Sequence, residues 1–94
     1  MKVKFHATLR QITGAKVVDF SLPDSHAATA QDLLDTVLAR FPALRKELLD
    51  PEGRLFGHVH YFINGRDVQF HEKALQTPLL PGDEIDIFPA VGGG

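Results

Sequence analysis

The 94 residues provide enough chain for one compact domain with its own core, but too little for an elaborate enclosed active site. Hydrophobic residues make up 44% of the chain and charged residues 23%, a balance typical of a folded globular protein. The formal net charge of −2, with scattered Lys and Arg, argues against a nucleic-acid partner. The chain has no cysteine, which excludes disulfides, iron–sulfur clusters, thiolate zinc sites and a cysteine nucleophile.

The sequence carries no sign of a membrane or export segment. No apolar run approaches the roughly 20 residues that a transmembrane helix needs. Residues 1–5 alternate between apolar and polar side chains, whereas a signal peptide has a continuous apolar stretch. We therefore expect a cytoplasmic protein that does not contact a membrane.

The first two predicted elements form a β-hairpin. The period-2 alternation of a strand with one buried face runs through Val3, Phe5, Ala7 and Leu9. Thr13 and Gly14 predict a turn, because glycine tolerates positive φ. A second alternating run predicts a returning antiparallel strand through Val18, Phe20 and Leu22, which ends at residues 23–25.

The next predicted element is the main helix, which begins at Ala30. Apolar residues recur at helical spacing and share one face at Leu33, Leu34, Val37, Leu38 and Phe41. Thr29 is the predicted N-cap, with Asp32 as the acidic arm of a capping box. Pro42 should end the helix near Arg40 or Phe41. Residues 43–49 are predicted to add a short helical turn, and residues 50–53 a reverse turn.

The remaining chain predicts a second hairpin and a last strand. A third strand runs through Val59, Tyr61 and Ile63, and Asn64-Gly65 is a strong two-residue hairpin signal. The chain is then predicted to return through Val68 and Phe70. Residues 81–83 predict a turn, and residues 84–88 alternate again as the final strand.

This element order favours an α+β fold in which one main helix packs across a mixed sheet of four to five strands. The first and last strands can pair in parallel at the centre, because the chain between them supplies the long crossover that a parallel pair requires. That architecture is the β-grasp, or ubiquitin-like, fold. We assign residues 1–89 to this domain and residues 90–94 to a flexible C-terminal glycine tail.

The tail follows Pro89 and ends in Val91, Gly92, Gly93 and Gly94. It can reach roughly 20 Å from Pro89 at about 3.3 Å per residue. Glycine lacks Cβ, so such a tail can pass through a narrow channel of a partner. A terminal glycine cluster is more often a frayed end. The β-grasp order, the absence of cysteine and the final diglycine together favour a functional tail instead.

The reacting group that this tail presents is the α-carboxylate of Gly94. It is ionised at neutral pH, so it can attack the α-phosphate of ATP but accepts no nucleophile until it is activated. Adenylation would convert it into an acyl donor. A persulfide sulfur from another protein could then displace AMP and leave a thiocarboxylate on Gly94.

Several motifs resemble the bacterial small sulfur carriers related to the small subunit of molybdopterin synthase and the thiamine sulfur carrier. They are Lys2-Val3-Lys4-Phe5, Leu9-Arg10, Thr13-Gly14, Asp32-Leu33-Leu34, Ile63-Asn64-Gly65 and Leu80-Pro81-Gly82-Asp83-Glu84-Ile85. The most specific is the ending from Phe88 to Gly94, which is similar to the family's apolar-Pro-x-Val-x-Gly-Gly pattern. In that register Gly93 and Gly94 are the functional pair, and Phe88, Pro89, Val91 and Gly92 are predicted to contact partners.

The resemblance implies a carrier that is not itself an enzyme and binds no cofactor. ATP belongs to a ubiquitin-activating-like adenylating enzyme. The sulfur acceptor is then an enzyme such as the large subunit of molybdopterin synthase, our first expectation, thiazole synthase or a cysteine synthase. Residues 48–64 and 67–70 are longer than in the shortest molybdopterin-type carriers and look more like the carrier for cysteine synthesis.

Two other functions remain open on the sequence alone. The same acyl adenylate can be captured by a lysine amine, which would make the chain a ubiquitin-like protein modifier. Alternatively, the chain is a β-grasp binding module whose glycines have no chemical role.

Other polar and aromatic residues have simpler interpretations. His58 and His60 would share one face of a strand, but no third metal ligand or cysteine accompanies them, so we predict solvent-facing side chains and no metal. Arg66 and Asp67 are interpreted as a solvated hairpin tip. Phe88 either turns outward beside the tail as a partner anchor or covers the open end of the core.

Overall fold

The computed structural model describes residues 1–22 and 28–89. The strands are β1 (Lys2–Phe5), β2 (Val17–Asp19), β3 (His60–Ile63), β4 (Arg66–Asp67) and β5 (Ile85–Phe88), and the α-helices are α1 (Leu9–Thr13), α2 (Ala30–Arg40) and α3 (Arg45–Leu48). Short 3-10 turns cover Pro42–Leu44, Val68–Phe70 and Ala74–Gln76. The predicted turn at residues 23–25 and the tail, residues 90–94, lie outside the described residues.

The strands form one five-stranded sheet in the order β2-β1-β5-β3-β4. The central strands β1 and β5 run parallel, with Val3 opposite Ile85 and Phe5 opposite Ile87. The other neighbours are antiparallel. The predicted α+β, β-grasp architecture is therefore confirmed, including the parallel pair at its centre.

Helix α2 begins and ends where local chemistry predicts. The backbone N–H of Asp32 donates to Thr29 Oγ1 at 3.2 Å, and the N–H of Thr29 donates to Asp32 Oδ2 at 2.9 Å, which completes the capping box. The helix ends at Arg40, and Pro42 opens the 3-10 turn that follows. These reciprocal hydrogen bonds satisfy two backbone donors that would otherwise lack partners.

The hydrophobic core lies between α2 and one face of the sheet. Its central members are Val3, Phe5, Leu9, Leu33, Leu34, Val37, Tyr61, Ile63, Ile85 and Ile87. The Tyr61 hydroxyl donates to the carbonyl of Ala30 at 2.9 Å, so this phenol joins β3 to the start of α2. Burial raises the pKa of Tyr61, because removal from water disfavours the phenolate. The alternating residues of the central strands leave the opposite face of the sheet uncovered by α2.

The first predicted strand is wrong in its length. Strand β1 stops at Phe5, and Leu9 begins helix α1, where its side chain is buried in the core. Ala7 adopts a φ of 53°, which turns the chain between the two elements. The predicted turn at Thr13-Gly14 is confirmed as the end of α1, with Gly14 at a φ of 75°.

The second hairpin is confirmed at its tip but not along its return. Asn64 and Gly65 both have positive φ, 53° and 81°, as a type I′ turn requires. The return strand β4 has only 2 residues, after which Val68–Phe70 forms a 3-10 turn. Asp67 ends the strand because its side chain accepts the backbone N–H of Gln69 and caps that turn.

In the part of the chain that the structure describes, no helix is long and apolar enough to cross a bilayer.

The N-terminal ammonium of Met1 gives the fold a pH-dependent contact. It lies 2.9 Å from Asp19 Oδ1 and also donates to the carbonyl of Phe20 at 2.7 Å. Its hydrogen bond and charge lower the pKa of Asp19. A carboxylate with a lowered pKa in the folded state stabilises the fold above its unfolded pKa, and that stabilisation is lost as the pH falls through the folded pKa.

We predict that Asp19→Asn reduces the loss of stability on acidification below about pH 4, the range set by the ordinary aspartate pKa. Urea unfolding of both proteins at a series of pH values from about 6 to 2 measures the effect. Glu52→Gln, which removes an exposed carboxylate far from Met1 in sequence, is the matched control. Parallel acid profiles for Asp19→Asn and the native chain would contradict the assignment.

Candidate functional site

The candidate site is the face of the sheet opposite α2, at the end of β5 that precedes the tail in the sequence. Ile85 and Ile87 of β5 are buried in the core, whereas Asp86 and Phe88 alternate to the other face. Phe88 therefore turns outward, and the alternative that it covers the open end of the core is wrong. Pro89, the last described residue, is buried.

The strand register places the rings of His6, Phe88 and His60 side by side across the sheet. His60 of β3 lies directly opposite Phe88. On the other side, the backbone N–H of His6 donates to the carbonyl of Ile87 at 3.1 Å, and the His6 ring stacks on Phe88 with centroids 4.0 Å apart and planes 6° apart. Phe62 meets Phe88 edge-to-face at 5.5 Å and stacks with His60 at 5.6 Å. We call His6, Phe88, Phe62 and His60 the aromatic face.

Each histidine of the aromatic face is paired with a carboxylate. His6 Nε2 lies 2.8 Å from Asp86 Oδ1, and His60 Nδ1 lies 2.8 Å from Asp67 Oδ2. Each pair joins two segments that lie side by side in the sheet. The two carboxylates therefore fix the orientations of the imidazole rings that flank Phe88. The His60 side chain is 41% exposed, whereas that of Asp67 is 6% exposed.

The interpretation of Asp67 as part of a solvated hairpin tip is wrong. Asn64 and Gly65 form the tip, and by Asp67 the chain has returned to lie opposite Phe62. Asp67 is the only charged side chain that is buried within residues 1–22 and 28–89. Arg66 is exposed, and its guanidinium donates to the carbonyl of Phe70 at 2.7 Å.

The predicted pairing of His58 and His60 on one strand face is also wrong. His58 precedes β3 in a turn and stacks on Phe56 with centroids 4.9 Å apart. Among the residues described, no group of three or more His, Cys, Asp or Glu side chains could hold a metal ion.

The remaining predicted site residues, Val91, Gly92, Gly93 and Gly94, lie outside the described residues, and their roles stay predictions. Sequence reasoning missed His6 and Phe62 as neighbours of Phe88, and Asp67 as the partner of His60. Strand alternation alone would place His60 and Phe62 on the face opposite Tyr61 and Ile63, so part of this signal was available.

The architecture places the protein in the class of ubiquitin-like carriers and modifiers, and the solved structures agree. The Amycolatopsis orientalis BexX/CysO complex contains a chain that matches with a TM-score of 0.78 and 30% identity, over 99% of this chain and 98% of that one. The ThiS family model matches residues 3–94, and the chain belongs to the ThiS family. The predicted resemblance to small sulfur carriers is thereby confirmed.

Two curated relatives match along nearly their whole length. Small archaeal modifier protein 3 of Haloferax volcanii is 33% identical over 94 residues, which covers 100% of this chain and 98% of that protein. Sulfur carrier protein CysO of Mycobacterium tuberculosis is 32% identical over 94 residues, which covers 98% of this chain and 96% of that protein. The family thus includes both sulfur carriers and protein modifiers.

We predict that His60 and Asp67 stabilise the fold as a coupled pair. His60→Leu leaves a buried carboxylate without its imidazole and should lower the free energy of unfolding by about 1–3 kcal/mol. In His60→Leu/Asp67→Asn the charge is gone and the oxygen of the introduced amide can still cap Gln69, so most of that loss should be recovered. Urea unfolding of the native chain, both single variants and the double variant gives the coupling energy. Strict additivity would contradict the pairing.

Proposed function

We propose that this chain is a cytoplasmic sulfur carrier that works as a protein co-substrate and is not itself an enzyme. An adenylating enzyme of the ubiquitin-activating type supplies the ATP site and activates the Gly94 carboxylate. The resulting Gly94 thiocarboxylate donates its sulfur in cofactor or cysteine biosynthesis.

The observation that carries this proposal is the position of β5. The strand is hydrogen-bonded on both sides, to β1 and to β3, so its direction is fixed by the centre of the fold. It leads from Phe88 on the aromatic face, through buried Pro89, directly into the glycine ending. A partner that docks on the aromatic face therefore has the terminal carboxylate within a short reach of its own active site.

The chemistry requires only the terminal carboxylate from this chain. A carboxylate oxygen of Gly94 attacks the α-phosphorus of ATP, and pyrophosphate leaves. A persulfide sulfur of a donor protein then attacks the acyl carbon, and AMP leaves with the electrons of the C–O bond. A thiol cleaves the resulting acyl disulfide, which releases the thiocarboxylate and oxidises the thiol to a disulfide. The absence of cysteine fits this scheme, because the transferred sulfur resides on the chain end.

The relatives support the proposal in two ways. One of them is named a sulfur carrier, and a solved structure holds CysO in complex with BexX. The aromatic face is a suitable docking surface for such a partner, because aromatic side chains contribute much of the binding energy at protein interfaces. The acceptor would be a molybdopterin synthase large subunit, a thiazole synthase or a cysteine synthase.

Protein modification is the second candidate function, and it is favoured by a specific finding. Relatives from Haloferax volcanii that align with the whole chain are named modifier proteins. A lysine amine can attack the same acyl adenylate and form an isopeptide bond, and AMP leaves. The carrier and the modifier share their activation step and differ in the nucleophile that follows.

We predict that a residue added after Gly94 abolishes thiolation. The addition displaces the reacting carbon by about 3.3–3.6 Å, and a misplacement of 1 Å can already cost on the order of 100-fold. Gly93→Val should have a similar effect, because its branched side chain must enter the channel that admits glycine. Intact-protein mass spectrometry, after incubation with the adenylating enzyme, ATP and a persulfide donor, should show replacement of one oxygen by sulfur only in the native chain.

Both tail variants should keep the thermal stability of the native chain, which serves as the folding control. Wild-type rates of thiolation in either variant would refute the terminal-carboxylate mechanism and favour a binding module. Loss of folding in both variants would instead assign the tail a structural role.

We predict that most of the protein in cell extracts is free or bound to its acceptor enzyme. A denaturing blot distinguishes the two functions, because isopeptide-linked products survive denaturation and a carrier–enzyme complex does not. A ladder of adducts that disappears when Gly94 is deleted would favour the modifier. A single band at the mass of the free chain is the outcome expected for a carrier.

A further inference from the structure

His60 is the most exposed polar group of the aromatic face, and its orientation is fixed from one side. Asp67 Oδ2 engages His60 Nδ1 at 2.8 Å, while the other carboxylate oxygen accepts the N–H of Gln69 at 3.1 Å. An ionised carboxylate only accepts hydrogen bonds, so Nδ1 carries the proton of this pair. In the neutral imidazole the nitrogen without a proton is then Nε2, which can only accept a hydrogen bond.

His60 Nε2 has no hydrogen-bond partner within the described residues, and it lies on the surface that a partner protein would cover. The His60 side chain is 41% exposed and its ring stacks with Phe62, which in turn contacts Phe88. Docking that removes water from these phenyl rings also removes water from Nε2. An acceptor left unpaired in a dry interface weakens binding, whereas one that meets a donor does not.

We propose that His60, held by Asp67, determines partner specificity at the aromatic face by requiring a hydrogen-bond donor at Nε2. The occupant is the adenylating enzyme, so this inference rests on the proposed function. That enzyme would cover Phe88 and Phe62 with an apolar surface and place one N–H or O–H donor against His60. A partner with a wholly apolar surface would be rejected.

Three variants separate this role from a structural one. His60→Leu/Asp67→Asn removes the acceptor and the charge together, while the introduced amide keeps a cap for Gln69. His60→Gln keeps an acceptor near the position of Nε2. His71→Leu is the matched control, because it removes a histidine that follows the same hairpin but is not part of the aromatic face.

The test uses the purified adenylating enzyme encoded in the same genome. Its Kd for each full-length chain is measured by calorimetry at pH 8, and its KM and kcat are measured at the same pH by ATP-dependent pyrophosphate release. At pH 8 the double variant should bind roughly 5- to 100-fold more weakly than the native chain, as expected for one unpaired buried group. KM should rise and kcat should not, because His60 does not touch the reacting atoms.

At pH 8, His60→Gln should restore most of the affinity, and His71→Leu should bind as tightly as the native chain. An adenylating enzyme from another sulfur-carrier system should discriminate less between the native chain and the double variant. The inference is overturned if the double variant binds as tightly as the native chain, or if His60→Gln binds as weakly as the double variant. If the native chain is neither bound nor adenylated at pH 8, the proposed function fails as well.

Discussion

The parallel pairing of β1 with β5 joins the beginning and the end of the described chain at the centre of the sheet, and both faces of the molecule are arranged around it. On one face the pair supplies Val3, Phe5, Ile85 and Ile87 to the core beneath α2. On the other face the same register brings His6 against Phe88. The hydrogen bonds that hold the fold together thus also set the geometry of the candidate site.

Strand β5 contributes to the stability of the core and to the proposed docking surface through different side chains. A strand presents alternate residues to opposite faces, so Ile85 and Ile87 can be selected for packing and Asp86 and Phe88 for surface chemistry. Smaller side chains at Ile85 or Ile87 destabilise the fold by leaving cavities in the core. Substitutions at Asp86 or Phe88 leave the core intact, so we expect their effects on binding.

The sequence predicts those parts of the fold that depend on neighbours along the chain. Helix α2 combines an apolar period with a capping box and a terminating proline, three local signals that agree, and the structure confirms them. The two strands whose predicted lengths are wrong lack this agreement. Alternation continues through Leu9, but the positive φ of Ala7 turns the chain into α1, and the side chain of Asp67 ends β4 by capping the next turn.

The candidate site was predictable only in part for a related reason. The outward orientation of Phe88 follows from alternation within one strand, whereas its contacts with His6 and Phe62 depend on the register between segments that lie far apart in the sequence, which no local pattern specifies.

Under the proposed function, the aromatic face is covered by one partner enzyme after another, and its composition suits that role. The proposed carrier passes from an activating enzyme to an acceptor, so each complex must dissociate, and transient interfaces are more polar than permanent ones. A contiguous row of phenyl rings would favour self-association in the free protein. Imidazoles at positions 6 and 60 preserve the stacking with Phe88 and Phe62 while adding hydrogen-bonding edges. The carboxylates of Asp86 and Asp67 fix the orientation of these imidazoles, so the surface gains polar groups that are held in defined positions.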